Sequence, residues 1–293
     1  MPFTHTSTFR VRYYECDAYG HLNNANYLRY MQEAAFNASA AAGYGLEHYA
    51  GMQRIWLIRE SELEFLRPLG YNQEAAVATQ VADFRRVTSR RSYVFTRTGD
   101  PQEAGPVATG WSDWVFMDTR LQRPARIPQA LIDAFYPEGN PPDGMGDPFP
   151  SLPPAPPGAF VQRRRVAWQE IDPVGHVNNA NYAVYASDCG FAATEHFGWP
   201  WERLAQMGIG IYLRRLRVQY LQPALFGDEL QISAWIYNAR RSTAQRCYTI
   251  TRVSDGALLA QVDTLSVWVS LQSGQPVRIP PQMRADFAPN IAV

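Results

Sequence analysis

Two aspartates, Asp17 and Asp172, occupy equivalent places in two copies of one motif, each followed by a histidine four residues on and then by paired asparagines. The first copy runs Asp17-Ala18-Tyr19-Gly20-His21-Leu22-Asn23-Asn24-Ala25-Asn26-Tyr27. The second begins 155 residues later as Asp172-Pro173-Val174-Gly175-His176-Val177-Asn178-Asn179-Ala180-Asn181-Tyr182, and eight of the eleven positions are identical. A carboxylate beside a glycine-containing loop that enters a helix is equipped to act on an activated acyl group. The aspartate attacks the carbonyl carbon or deprotonates a water. The open N–H groups of the helix start stabilise the tetrahedral oxygen. His21 and His176 can orient the carboxylate, polarise the carbonyl or protonate a leaving thiolate. Asn24 and Asn179 can place a water or the acyl oxygen, because an amide side chain both donates and accepts.

One such segment alone is a weak signal, since Asp, Asn and Gly are ordinary turn and cap residues. Turn chemistry does not require the histidine, nor the same residues twice in halves that differ elsewhere. The aspartates and histidines therefore read as functional. Asn23, Asn178, Asn26 and Asn181 read as caps or packing groups, and Tyr27, Tyr182, Tyr30 and Tyr185 as helix core or pocket wall. Three arginine positions also recur: Arg85, Arg86 and Arg91 match Arg240, Arg241 and Arg246. They are either solvated strand ends or a phosphate-binding set for a pantetheine-bearing carrier, to which the guanidinium fork is suited. No second His, Cys or Glu recurs at ligand spacing within the motif, so no metal and no resident cofactor is expected. Cys16 aligns with Ile171 and reads as structural.

The elements around the motif repeat as well. Residues 9–15 alternate as a strand, and the motif follows as a loop. A helix from Ala25 to about Ala42 carries Tyr27, Met31, Ala34, Ala38 and Ala41 at helical spacing and stops at Gly43-Tyr44-Gly45. Strands follow over 55–66, 75–84, 92–98 and 107–117, with a terminal helical turn over 128–135. The second half replays this: a strand over 160–170, a helix from Ala180 to about Phe197, and a strand from Tyr212 to Leu221. The offset of 155 holds from Val11/Val166 to Arg97/Arg252 and becomes 152 at Arg126-Ile127-Pro128 against Arg278-Ile279-Pro280. Nine prolines lie between Pro137 and Pro157, marking a semi-extended linker. The expected division is 1–137, a linker over 138–158, and 159–293. Each repeat has the α+β pattern of one long helix on an antiparallel sheet of about five strands, and the two form a fused pseudo-dimer.

Bulk properties narrow the function further. The chain has 293 residues, 46% of them hydrophobic, with 27 basic and 27 acidic side chains in balance. That balance argues against a nucleic-acid binder using a broad basic field. Every basic residue is arginine, which removes Schiff-base, P-loop and Ser/Lys chemistry. Three cysteines without metal or redox spacing suit a reducing compartment. Neither a leader nor an apolar span is seen, so a cytoplasmic protein without membrane or nucleic-acid partners is expected.

The strand Val11-Arg12-Tyr13-Tyr14-Glu15, the motif and a helix beginning Tyr27-Leu28-Arg29-Tyr30 resemble the hotdog-fold thioesterases of the 4-hydroxybenzoyl-CoA thioesterase group. The second half resembles the same family independently, giving a tandem, double-hotdog form. The resemblance implies a sheet wrapped around the long helix, sheet-to-sheet pairing of the units, and active sites where paired units meet. It also implies Asp17 and Asp172 as catalytic carboxylates and the N–H groups of Asn24 and Asn179 as oxyanion donors. The substrate would be an acyl-CoA, with CoA present only as part of it. Plant-type acyl-carrier-protein thioesterases are similar in the H-V-N-N-x-x-Y segment, but typically keep one catalytic half, whereas both halves here look intact. A non-catalytic acyl-CoA sensor of this fold would carry an added DNA-binding or partner domain, which is not expected here, and would not need the carboxylate in both halves. Further association of the fused pair into a homo-oligomer stays open.

Overall fold

The computed structural model describes residues 2–139 and 147–292 and groups the chain into two compact units, Met1–Pro148 and Phe149–Val293. The division falls inside the proline-rich stretch. Residues 140–146 of the expected linker lie outside the described residues. Its C-terminal part is fastened to the second unit: the Trp235 indole donates to the carbonyl of Pro153 at 3.2 Å, and the Asn290 amide to that of Gly158 at 3.1 Å.

In the first unit β1 (Thr4–Arg10) leads through a 3-10 turn (Tyr13–Glu15) to the long helix α1 (Asn24–Ala41) and a short α2 (Leu46–Gly51). Strands β2 (Arg54–Phe65), β3 (Glu74–Phe84), β4 (Thr88–Arg97) and β5 (Ala108–Asp118) follow, then a two-residue β6 (Arg123–Pro124) and α3 (Gln129–Phe135). The antiparallel order is β1-β3-β4-β5-β2, with β6 on β5. The second unit repeats the plan with β7 (Phe160–Arg165), a 3-10 turn (Trp168–Glu170), α4 (Asn179–His196), α5 (Trp201–Gln206), β8 (Ile209–Tyr220), β9 (Glu229–Tyr237), β10 (Thr243–Arg252), β11 (Leu258–Ser270) and α6 (Pro281–Asp286). Its order is β7-β9-β10-β11-β8.

Burial alternates along β3, where Ala75, Val77, Thr79, Val81 and Asp83 turn inward. That period of two presents one face to the helix. Ala34 and Ala38 of α1 are wholly buried there, as are Ala186, Cys189 and Ala193 of α4. Small side chains let helix and sheet approach closely, so a larger residue at Ala34 or Ala38 would overpack the contact by about 1–3 kcal/mol.

Three local expectations are corrected. The strands over 9–15 and 160–170 end earlier, at Arg10 and Arg165, because Glu15 and Glu170 fold back to accept the N–H of Arg12 and Ala167 at 2.8 and 2.7 Å. β4 begins at Thr88 rather than Ser92, since the Arg85 N–H closes the hairpin on the Thr88 carbonyl at 2.8 Å. The six-residue helices α2 and α5 were not expected; each starts at a residue without a side-chain cap bond, Gly45 or Pro200. Among the described residues no helix is long and apolar enough to cross a membrane.

Candidate active site

The loop between the 3-10 turn and α1 is closed by its own backbone. The Asp17 N–H donates to the His21 carbonyl at 2.8 Å, and the Gly20 N–H to the Asp17 carbonyl at 2.9 Å. Gly20 takes φ +76°, and its counterpart Gly175 takes φ +91°, a region open to glycine at little cost. Cys16 and Leu22 bridge across the base of the loop, as Ile171 and Val177 do in the second unit. The loop lies at the start of β3, where the Leu22 N–H reaches the Leu69 carbonyl and His21 bridges to Gly70.

Within this loop the aspartate is a strut. Asp17 Oδ1 accepts the N–H of Tyr19 at 2.9 Å and of His21 at 3.2 Å. Asp172 Oδ1 accepts the Val174 N–H at 2.9 Å, with His176 Nδ1 at 3.7 Å. Among the described residues neither Oδ2 has a hydrogen-bond partner, which leaves one carboxylate oxygen of each aspartate for chemistry. Both Asp172 and His176 keep a minor part of the side chain in contact with solvent.

The helix start is similarly selective. Asn23 caps α1 by accepting the Ala25 N–H on its side chain at 3.0 Å, while its carbonyl takes the Asn26 N–H at 2.9 Å. Asn178 does the same for Ala180 and Asn181, at 3.0 and 2.9 Å. Among the described residues the N–H groups of Asn24 and Asn179 have no acceptor. Each helix therefore offers one open amide, at its positive end, beside the motif loop. Asn26 and Asn181 are packing groups, their side chains donating to the carbonyls of Glu15 and Glu170 at 2.9 and 3.0 Å. Tyr27 and Tyr182 are core: Tyr27 packs on Phe65 and Phe95, and the Tyr182 hydroxyl accepts the Ala224 N–H at 3.0 Å. Burial pushes the Tyr182 phenol up to about 12.

The arginines divide. Arg85 and Arg86 sit on the β3–β4 turn and line a shallow depression with Arg126; Arg240 and Arg241 do the same with Arg278 and Arg284. Within one unit this turn is a full strand away from the motif loop, roughly 35 Å for the eleven residues of β3. Arg91 and Arg246 do not join these surfaces, contrary to expectation. Arg91 is buried, its guanidinium packed toward the Phe135 ring and held by burial below its ordinary pKa. Arg246 reaches inward to donate to the Gly190 carbonyl at 2.7 Å. Their place on the inner face of β4 and β10 is the reason.

Two features escaped the sequence reading. Glu15 and Glu170 tie the 3-10 turn to the helix, and the signal was present, because both glutamates recur at the motif offset. Exposed aromatic pairs flank each loop, Tyr13 against Tyr71 at 5.7 Å and Trp168 against Phe226 at 5.4 Å.

With a carboxylate oxygen and an open helix amide on one loop, in duplicate, each unit has the parts for acyl transfer. A sequence-family model described as the thioesterase-like superfamily matches residues 11–135 and 166–287, both repeats in turn. The chain belongs to that superfamily. A chloroplastic acyl-acyl carrier protein thioesterase of Arabidopsis thaliana is 26% identical over 118 residues, 40% of this chain and 62% of that protein. The chain thus spans less than two thirds of that relative. Among solved structures, an acyl-ACP thioesterase from Bacteroides thetaiotaomicron aligns with TM-score 0.69 at 17% identity, covering 90% of this chain and 97% of its own. The 12:0-ACP thioesterase from Umbellularia californica aligns with TM-score 0.70 at 16% identity, covering 90% and 94%. At these identities the structural likeness concerns the fold. It fits the double hotdog: two tandem units, each a long helix on an antiparallel sheet. Among the described residues no three His, Cys, Asp or Glu side chains are grouped as a metal site.

Proposed function

We propose that the protein hydrolyses an acyl-CoA thioester to the free acid and CoA at two sites, one on each motif loop. The thioester oxygen accepts the open N–H of Asn24 or Asn179. The carbon is attacked by water deprotonated at Asp17 or Asp172, or by the carboxylate itself to give an anhydride that water then opens. In either course the C–S bond breaks, the acyl group gains the water oxygen, and the leaving thiolate takes a proton, a role this reading assigns to His21 or His176. The observation that carries the reading is the duplicated pairing of an unengaged aspartate oxygen with a single uncapped helix amide. Thiol release from a panel of alkyl and aryl acyl-CoAs tests it, and no turnover with any member would sink it.

A second reading, an acyl-carrier-protein substrate, is favoured by the names of the similar proteins that align over nine tenths of the chain. Presenting one acyl chain on both carriers separates the two, through the ratio of kcat/KM. Phosphate binding attaches to Arg85, Arg86, Arg240 and Arg241, with Arg126 and Arg278 beside them. Replacing Arg240 and Arg241 by glutamine raises KM for a CoA thioester with kcat unchanged if they hold phosphate; an unchanged KM overturns that role. The three free thiols suit a cytoplasmic setting, which belongs to this proposal.

A further inference from the structure

Glu15 and Glu170 stand two residues before each motif aspartate. Glu15 is 8% exposed, and a carboxylate there is costly unless its oxygens are bonded. Its Oε2 accepts the Arg12 N–H at 2.8 Å and the Tyr30 hydroxyl of α1 at 2.7 Å. Its main-chain carbonyl accepts the Asn23 N–H at 2.9 Å and the Asn26 side chain at 2.9 Å. Three of these bonds, from the Tyr30 hydroxyl, the Asn23 N–H and the Asn26 side chain, thus join the turn before the motif to the cap and helix after it, and the fourth closes the turn on itself. Burial and the bond to Glu15 hold the Tyr30 phenol well above its ordinary pKa, so it stays a donor.

The second unit keeps the backbone half of this arrangement and changes the side-chain half. The Glu170 carbonyl accepts the Asn178 N–H at 2.9 Å and the Asn181 side chain at 3.0 Å. Its carboxylate accepts the Ala167 N–H at 2.7 Å and is paired with Arg164, whose guanidinium lies 3.8 Å over the Tyr185 ring. Different partners therefore hold the same carboxylate in the same place. In both units the carboxylate fixes the turn through the Arg12 or Ala167 N–H, while the same residue's main-chain carbonyl takes the N–H of the helix cap, Asn23 or Asn178, and the next residue carries the open amide.

We propose that Glu15 and Glu170 are positioning residues that aim the N–H of Asn24 and Asn179 at the reacting oxygen. The inference rests on the hydrolase reading above. An oxyanion donor is worth about 10²–10³ in rate, and a misplacement near 1 Å forfeits about a hundredfold. The Glu15→Ala/Glu170→Ala pair, made together so that neither unit masks the other, should lower kcat about tenfold to a hundredfold with KM changed less than about twofold. The Glu15→Gln/Glu170→Gln pair keeps an oxygen acceptor and should recover most of that loss. An unchanged kcat in the folded alanine pair overturns the inference, and so does a glutamine pair as slow as the alanine pair. If the alanine pair does not fold, Tyr30→Phe with Arg164→Gln removes one side-chain bond in each unit: a severalfold fall in kcat at constant KM supports the role, and an unchanged kcat refutes it. A wild type that releases no thiol from any thioester counts against the hydrolase reading itself; a working wild type with unaffected variants counts only against the positioning role.

Discussion

Replacing Asp17 and Asp172 by asparagine separates the two jobs of these carboxylates. Asparagine keeps Oδ1, so the bonds from Tyr19 and His21 at 2.9 and 3.2 Å, and from Val174 at 2.9 Å, persist as neutral hydrogen bonds. Trading a charge-assisted bond for a neutral one costs about 1 kcal/mol, small against the roughly 5–15 kcal/mol stability of a typical domain. The second oxygen becomes an amide that neither attacks nor takes a proton. Loss of a general base lowers the rate by about 10²–10⁴, a barrier increase of about 2.7–5.5 kcal/mol. With two sites of equal rate each single variant retains about half of kcat, and the double variant drops by the full factor. The assay is thiol release at saturating acyl-CoA, with circular dichroism confirming the fold. A double variant with wild-type kcat refutes the role of aspartate. Loss of all activity in one single variant refutes two independent sites.

Other expectations concern stability. Asn23→Ala and Asn178→Ala each remove a helix cap and should cost about 1 kcal/mol in urea unfolding. Gly190→Ala places a Cβ 2.6 Å from the Tyr248 hydroxyl and 3.0 Å from Arg246 Nη1. It should destabilise by about 1–3 kcal/mol through overpacking, a cost that an unchanged midpoint would contradict. Burial raises the Tyr182 phenol from 10.0 to about 12 and raises those of Tyr27, Tyr30 and Tyr185 as well. The folded form then holds protons that the unfolded form releases, so this stability is complete below pH 10 and is lost as pH rises towards 12. Unfolding midpoints followed against tyrosinate absorbance should fall over that interval; four phenols titrating normally in an intact fold would contradict it.

The repeat made the architecture and the aspartate, histidine and asparagine positions legible, because two copies in one chain separate what must stay from what drifts. The start of β4 was hidden by Arg90 and Arg91, which interrupt the alternation on paper. In the fold Arg90 pairs with Asp113 at 2.6 Å and Arg91 turns inward, so both belong to the strand. The 3-10 turns were hidden because Tyr13, Tyr14 and Glu15 are good strand formers or neutral; the carboxylate folding back onto Arg12 decides against the strand, and that bond is not visible in a pattern of hydropathy. Ala35 against Gly190 shows the same limit. At Gly190 a methyl group would stand 3.0 Å from Arg246 Nη1, which here reaches the Gly190 carbonyl, and only the packing reveals it.

A helix start with one open donor holds its ligand at a pivot, not across a face. The pivot dictates where an oxygen rests and is indifferent to whatever is attached beyond it. Under the proposed hydrolysis, preference among acyl groups would fall to neighbours that are not shared between copies, as Tyr13 differs from Trp168 and Tyr71 from Phe226. Duplicating such a pivot lets a single chain keep one chemistry fixed while its two surroundings drift apart.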